Sequence, residues 1–166
     1  MNVLVKGLIL GVAQLALVAG IGGKFLYDRA NYPRVWAETA PYDPDLPIRG
    51  RYVSFALLVQ TARLPVTKEG EPPVTFMAHL EVFKDRLYAV EDEAGRHWVL
   101  QRRCGEAHCW QLAEQLAFFI PEDVEDPSRR AAGETLWVEV TVPPKGPPRP
   151  IRLGVMKNGA LTPLDL

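Results

Sequence analysis

The sequence predicts a mainly β protein, a small antiparallel barrel or sandwich with one N-terminal transmembrane helix. Two observations predict this class. Residues 1–27 contain no acidic residue and no proline, and all fifteen prolines of the chain follow them. After residue 51, short runs of alternating apolar and polar residues are separated by turn-forming residues, which is typical of antiparallel sheets. We therefore expect an anchor at 1–27, an extended tether at 28–50, where four prolines exclude a helix, and a β-domain at 51–166.

The anchor is a run of apolar residues long enough to cross a bilayer. Seventeen uncharged residues separate Lys6 from Lys24, and a helix of that length spans roughly 25 Å. The apolar flanks extend the span to residues 3–27, because both lysines can reach the interfaces of a hydrocarbon core about 30 Å thick. A cleaved signal peptide is the alternative, but Gly20-Ile21-Gly22 is a poor cleavage site. The lipid bilayer is therefore the first expected partner.

One face of the anchor carries small and polar residues. Gly7, Gly11 and Gln14 recur at positions i, i+4 and i+7, so they share a helix face. Small residues allow a second helix to approach closely, and a glutamine in lipid seeks a hydrogen-bonding partner. Chance is the alternative, since glycine is common in membrane helices. We expect this face to contact a larger, multi-pass membrane protein.

The β-domain is predicted as a succession of short strands. The expected strands cover 53–59, 74–82, 87–92, 97–103, 110–119, 136–142 and 151–155, with a last one after Asn158-Gly159. Two connections, Lys84-Asp85-Arg86 and Glu93-Ala94-Gly95-Arg96, are typical of hairpin turns. Residues 110–119 also carry leucines at helical spacing. We expect a strand there because the short run ends in Phe118-Phe119-Ile120-Pro121.

Cys104 and Cys109 enclose four residues between two predicted strands. Such a loop would bring the thiols within bridging distance, and a disulfide implies an oxidising compartment. Unpaired thiols, or a metal site that adds His108 and His97, are the alternatives. The spacing fits structural zinc only loosely, so we expect a disulfide and no metal. Charges flanking the anchor mildly favour a cytoplasmic C-terminus, whereas a disulfide favours the opposite orientation.

Several function classes lack their sequence signals. The chain has 19 basic and 20 acidic residues, so we expect no broad positive surface and no nucleic-acid partner. No phosphate-binding glycine loop is present, and neither Ser54 nor Ser128 has the context of a catalytic nucleophile. His79 is expected to form a surface pair with Glu81. We expect no cofactor and favour a protein that is not an enzyme.

Three segments follow the anchor in order: Thr39-Ala40-Pro41-Tyr42-Asp43-Pro44, Arg49-Gly50-Arg51-Tyr52 and Phe118-Phe119-Ile120-Pro121-Glu122. With the strand at 136–142, they resemble the GDYXXLXY proteins, a bacterial membrane-anchored family without an established biochemical activity. Gly50 and Tyr52 match the family motif. Arg51, Phe55 and Leu57 stand where the motif has aspartate, leucine and its last tyrosine. The resemblance implies an anchor in the bacterial inner membrane and a periplasmic C-terminal domain.

These observations lead to three functional hypotheses. The first is an accessory or interaction protein that presents its β-domain outside the cytoplasm and contacts a larger membrane protein through the anchor. The second is a periplasmic module that binds a small ligand or an envelope polymer in a groove near Arg49, Gly50, Arg51 and Tyr52. The third is a membrane-bound hydrolase whose acidic residues and histidines converge in space.

Overall fold

The computed structural model describes residues 2–41, 52–63, 74–104 and 107–166. They belong to two compact units, Met1–Tyr32 and Pro33–Leu166. The first unit holds one helix, α1 (Val3–Asn31). The described part of the second unit holds nine strands: β1 (Arg34–Pro41), β2 (Tyr52–Val59), β3 (Thr75–Phe83), β4 (Arg86–Glu91), β5 (His97–Cys104), β6 (Ala107–Phe119), β7 (Glu134–Thr141), β8 (Arg149–Lys157) and β9 (Ala160–Pro163).

The helix α1 is uninterrupted, and it is long and apolar enough to cross a membrane. It ends just before Pro33, because the residue that precedes a proline avoids the helical conformation; Tyr32 is extended. The side-chain amide of Asn31 donates to the carbonyl of Tyr27 at 2.9 Å. The rings of Tyr27 and Tyr32 pack edge to face, 6.5 Å apart. The helix therefore continues four residues beyond the predicted anchor, from residue 27 to residue 31.

The strands form one antiparallel sheet in the order β4-β3-β5-β6-β2-β1-β7-β8-β9, which confirms the mainly β class. The barrel alternative is wrong, because β4 and β9 are open edges of this sheet. Among the described residues, one isolated β-bridge, between Gln60 and Tyr88, connects β4 to the residue that follows β2. No continuous ladder of hydrogen bonds closes the described sheet there. β4 also lies against β1 and β2, and β8 lies against β6. The sheet thus curves around its core, which agrees with the sandwich alternative.

The predicted tether is wrong for residues 34–41, which form the central strand β1. β1 pairs with β2 on one side and with β7 on the other. The two prolines here are compatible with a strand, because Pro33 precedes it and Pro41 is its last residue. A proline at a strand end removes no N–H donor from the middle of the ladder. Val35 and Ala37 are buried in the core. The β-domain therefore begins at residue 33, and residues 42–50 lie outside the described part of the chain.

Most predicted strands are confirmed, and so are the predicted tight turns at Lys84-Asp85 and Asn158-Gly159. Lys84 and Asp85 have φ of 49° and 56°, and Asn158 and Gly159 have φ of 51° and 79°, the backbone of hairpin turns that match strand twist. Residues 107–119 form a strand rather than a helix. The alternation there is Trp110, Leu112, Glu114, Leu116 and Phe118, so a glutamate occupies an inward position and obscures the strand period.

The predicted hairpin between 87–92 and 97–103 is wrong, because β5 pairs with β3 and not with β4. The N–H of Asp92 donates to the carbonyl of Met77 at 3.0 Å, and the N–H of Arg96 donates to the carbonyl of Ala78 at 3.1 Å. Successive carbonyls of a strand point to opposite sides. The chain therefore crosses β3 at Ala78, and Gly95 lies at the crossing: a Cβ there would be 2.5 Å from the carbonyl carbon of Ala78.

The core is built from the inward side chains of eight strands, β1 to β8. Phe55 and Leu57 at its centre are fully buried, as are residues from the neighbouring strands: Val99, Leu112, Val138, Val140 and Leu153. Two aromatic side chains close one end. The ring of Phe76 packs against Trp110 at 5.2 Å between centroids, and the indole N–H of Trp110 donates to the carbonyl of Arg63 at 3.1 Å.

Candidate functional site

The predicted groove near Arg49, Gly50, Arg51 and Tyr52 falls largely outside the described residues. Only Tyr52 is described. It begins β2 directly opposite Phe119 of β6, and the two ring centroids are 6.3 Å apart. Phe119 is 75% exposed. The structure therefore places an accessible aromatic pair at the start of β2, while the groove itself stays a prediction.

The predicted helix face is open. A Cβ placed on Gly7 or Gly11 would meet no atom within 4 Å, and Gln14 is exposed. None of the apolar stretch of α1 is buried. Among the described residues, these three therefore have no packing partner of the kind that small and polar residues serve in membrane helices.

The two cysteines lie at the tip of the β5–β6 hairpin. Their sulfurs are at disulfide-bonding distance and their Cα atoms are 5.8 Å apart, inside the normal range for a disulfide. They are diagonal neighbours, since Cys104 pairs with Ala107 and Cys109 with Arg102. No group of three His, Cys, Asp or Glu side chains suited to a metal occurs in the part of the chain that the structure describes.

Two of the three histidines, His79 and His97, lie against carboxylates. Nε2 of His79 lies 3.0 Å from Oε1 of Glu81, and its Nδ1 lies 3.4 Å from Oδ2 of Asp92, which confirms the predicted surface pair. His97 is 5% exposed, and its Nδ1 lies 3.0 Å from Oε2 of Glu114. Glu114 therefore occupies an inward position of β6 because it satisfies a buried imidazole.

Two tryptophan–glutamate triplets define the best-organised polar site, which we call the tryptophan–glutamate box. Trp36-Ala37-Glu38 lies on β1, and Trp137-Val138-Glu139 lies on β7. The antiparallel register places Trp36 opposite Glu139 and Glu38 opposite Trp137. Residues that are directly opposite or two apart share a face of the sheet. Four side chains, two indoles and two carboxylates, therefore alternate around one square on the outer face.

In one half of the box, the carboxylate of Glu139 has a cationic partner within the chain. Nε of Arg152, on β8, donates to Oε2 of Glu139 at 2.7 Å, and the guanidinium also lies over the Trp36 ring, 5.4 Å from its centroid. Glu139 is only 9% exposed. Gly154 makes room for the Trp36 indole, because a Cβ there would be 2.9 Å from the ring atom Cζ3. A cation, an aromatic face and a carboxylate thus form one packed group.

In the other half of the box, the carboxylate of Glu38 has no such partner among the described residues. Glu38 is half-buried, and burial raises the pKa of its carboxyl above the usual value for glutamate. Among the described residues, Glu38 makes no hydrogen bond and no ion pair. Its cross-strand neighbour Trp137 donates its indole N–H to Oγ1 of Thr135 at 2.9 Å. The arrangement can accept a cation that no described residue provides.

The sequence shows the box only if residues 34–41 are recognised as a strand. The repeated Trp-x-Glu triplet is visible in the printed sequence, but interpretation of 28–50 as a tether separates its first copy from the sheet. Pairing of the two triplets depends on β1 lying beside β7, about a hundred residues later in the chain. The pairing of β1 with β7 is set by the order of strands in the sheet, and the residues of either strand alone do not indicate it.

The chain matches no family model, no curated protein and no solved structure. The resemblance to the GDYXXLXY proteins therefore stays a prediction from the segments quoted above. Function has to be argued from the helix, the cysteine pair and the outer faces of the sheet.

Proposed function

We propose that the protein is a single-pass protein of the bacterial inner membrane. Its β-domain lies in the periplasm, and it acts as an accessory to a larger, multi-pass membrane protein. The observation that carries the proposal is α1, a 29-residue helix in which none of the apolar stretch is buried. In water such a surface is unfavourable, at about 25 cal/mol for each Å² of exposed apolar area. Lipid and a partner helix remove that cost.

The orientation is supported by the cysteine pair. Cys104 and Cys109 are at disulfide-bonding distance, and disulfides form and persist outside the reducing cytosol. The resemblance to a membrane-anchored family implies the same orientation. These two arguments outweigh the charge count around the anchor, which is a small difference: the α-amino group and Lys6 on one side against Lys24, Arg29 and Arg34 on the other.

The accessory role is supported by the open helix face. Gly7 and Gly11 leave space beside the backbone, and Gln14 on the same face is an exposed amide in an otherwise apolar segment. Small residues allow close helix approach, and a polar side chain in lipid gains from an interhelical hydrogen bond. Exposed aromatic side chains on the β-domain, among them Phe119, add a second surface for contact outside the membrane.

The experiment is co-purification of a multi-pass partner in mild detergent, with variants that differ only in the face they change. Gly11→Leu fills the open face and Gln14→Leu removes its amide, so each is expected to reduce recovery of the partner several-fold at unchanged expression. Gly20→Leu is the matched control. Gly20 follows Gly11 by nine positions, which at 100° per residue places it on the opposite side of the helix.

Equal recovery with Gly11→Leu and Gly20→Leu would show that the face is not a contact surface. Loss of the partner in Gly20→Leu alone would assign the contact to the other side of the helix and would also contradict the proposal. A purified protein that binds a ligand and recovers no membrane partner would favour the binding-module hypothesis instead.

A further inference from the structure

We propose that Glu38, with Trp36 beside it on the same strand and Trp137 opposite it, binds a primary ammonium group carried by a small amine or a lipid headgroup. The inference is independent of the membrane partner proposed above. It rests on an internal comparison between the two halves of the tryptophan–glutamate box.

The comparison shows which component is missing. In one half, Glu139 accepts a 2.7 Å hydrogen bond from Arg152, whose guanidinium also lies over Trp36. In the other half, Glu38 faces Trp137 in the same register, but no cation occupies the corresponding place among the described residues. Arg152 is already committed to Glu139. A ligand cation at Glu38 would give both carboxylates the same type of partner.

The surroundings of Glu38 select the chemistry of that cation. A half-buried carboxylate without donors loses hydration and gains no hydrogen bond in return. A primary ammonium group brings three N–H donors for the carboxylate, and an indole face attracts the positive charge. A quaternary ammonium group brings the charge but no donor, so it leaves the carboxylate unsatisfied. The site therefore favours primary over quaternary amines.

Two sources can present this chemistry. One is a free small amine in the surrounding solution, and the other is the ethanolamine headgroup of a phospholipid. Both sources can be tested on the same full-length protein, which includes α1. The two arms of the experiment below distinguish them.

The substitution that removes the charge is Glu38→Gln. Because the pKa of Glu38 is raised on folding, its ionised form disfavours the folded state at pH values above the usual glutamate pKa. The neighbouring charges on the same face, Glu139 and Arg152, neutralise one another. Glu38→Gln is therefore expected to fold and to melt at the same temperature as the wild type or a few degrees higher at pH 7. Because Glu38→Gln is expected to fold, a loss of binding in this variant can be assigned to the missing charge.

The test uses full-length protein with ¹⁵N-labelled tryptophan in a nonionic detergent. The four tryptophans of the chain give four indole N–H signals. Ethylammonium chloride, at constant ionic strength, is expected to move the signals of Trp36 and Trp137 to saturation. Trp98, half-exposed on β5, three strands away from β1 in the sheet, and Trp110, in the core, are internal controls that should not move. Tetraethylammonium should require a concentration at least about tenfold higher.

The variants and the lipid arm complete the test. Glu38→Gln should abolish the shifts, and Glu93→Gln, the same change at an exposed glutamate, should leave them unchanged. In phosphatidylcholine nanodiscs, shifts that appear on adding phosphatidylethanolamine identify the headgroup as a source, and shifts that appear only with ethylammonium identify a soluble amine. The proposal is overturned if neither probe moves the two signals, if all four move alike, or if the shifts persist in Glu38→Gln.

Discussion

Gly95→Ala is expected to destabilise the β-domain by about 3 kcal/mol, at the upper end of the cost of forcing an extra methyl group into a packed interior. The reason is that the chain crosses β3 at Ala78, and Gly95 lies against the backbone of Ala78 at this crossing. A Cβ on Gly95 would lie 2.5–2.6 Å from the backbone nitrogen, carbonyl carbon and oxygen of Ala78. Backbone atoms cannot rotate away as a side chain can. Ala78 is fully buried, so relief of the clash has to move β3 or break the crossing hydrogen bonds.

The measurement is the melting temperature of the full-length protein in detergent, followed by circular dichroism. For a unit the size of Pro33–Leu166, about 3 kcal/mol corresponds to a decrease of about 10 °C or more. Gly133→Ala is the control. Gly133 has φ of 85° and open space around it, so its substitution adds only backbone strain of about 1 kcal/mol. A Gly95→Ala protein no less stable than Gly133→Ala would refute the crossing.

Reduction of the cysteine pair is expected to destabilise the β-domain by about 2 kcal/mol, because the bridge from Cys104 to Cys109 closes a short loop and the entropic gain grows with loop length. The melting temperature should decrease by about 6–10 °C. The double variant Cys104→Ala/Cys109→Ala should show the same decrease without reductant. The hairpin should persist, since β5 and β6 are paired along six registered positions.

Chelation provides the control for the metal alternative. A zinc site would be destabilised by a chelator and would need both thiolates free, whereas a disulfide is indifferent to chelation. Mass spectrometry after alkylation without reduction distinguishes the two directly. Two alkylated cysteines in protein isolated from the native membrane would exclude the disulfide and remove one support for a periplasmic domain.

Local pattern predicted those parts of the fold that depend on neighbours in sequence. The turns at Lys84-Asp85 and Asn158-Gly159 require positive φ, and three of their four residues, Asp85, Asn158 and Gly159, are of types that favour it. The strand β7 shows clean alternation of apolar and polar residues, because Leu136, Val138 and Val140 face the core and the residues between them point to the other face. These features are encoded within a few residues, so they are visible without knowledge of the sheet order.

Features that depend on distant partners were not predictable in the same way. Residues 34–41 contain alternating buried positions, yet two prolines at their boundaries hide a central strand whose partners are β2 and β7. Gly95 belongs to a segment whose composition is typical of a hairpin turn, but it lies where the chain crosses β3. Glu114 interrupts the apolar alternation of β6 because its partner, His97, lies on β5.

The same distinction applies to the candidate sites. Spacing within one helix predicted the open face of Gly7, Gly11 and Gln14, and spacing within one hairpin predicted the cysteine pair. The tryptophan–glutamate box requires the register between β1 and β7 and the contact of Arg152 with Glu139. Both triplets are present in the sequence, but only their pairing shows that one glutamate has a cation partner among the described residues and the other does not.

The most direct test of the account is the location of residue 166 relative to the membrane. Alkaline phosphatase fused after Leu166 is active only when exported, and β-galactosidase at the same position is active only in the cytoplasm. We predict an active phosphatase fusion, an inactive galactosidase fusion, and a mature protein that retains its first residues as part of the anchor. An inactive phosphatase fusion at normal expression with an active galactosidase fusion, or a mature N-terminus near residue 23, would contradict a membrane-anchored periplasmic β-domain.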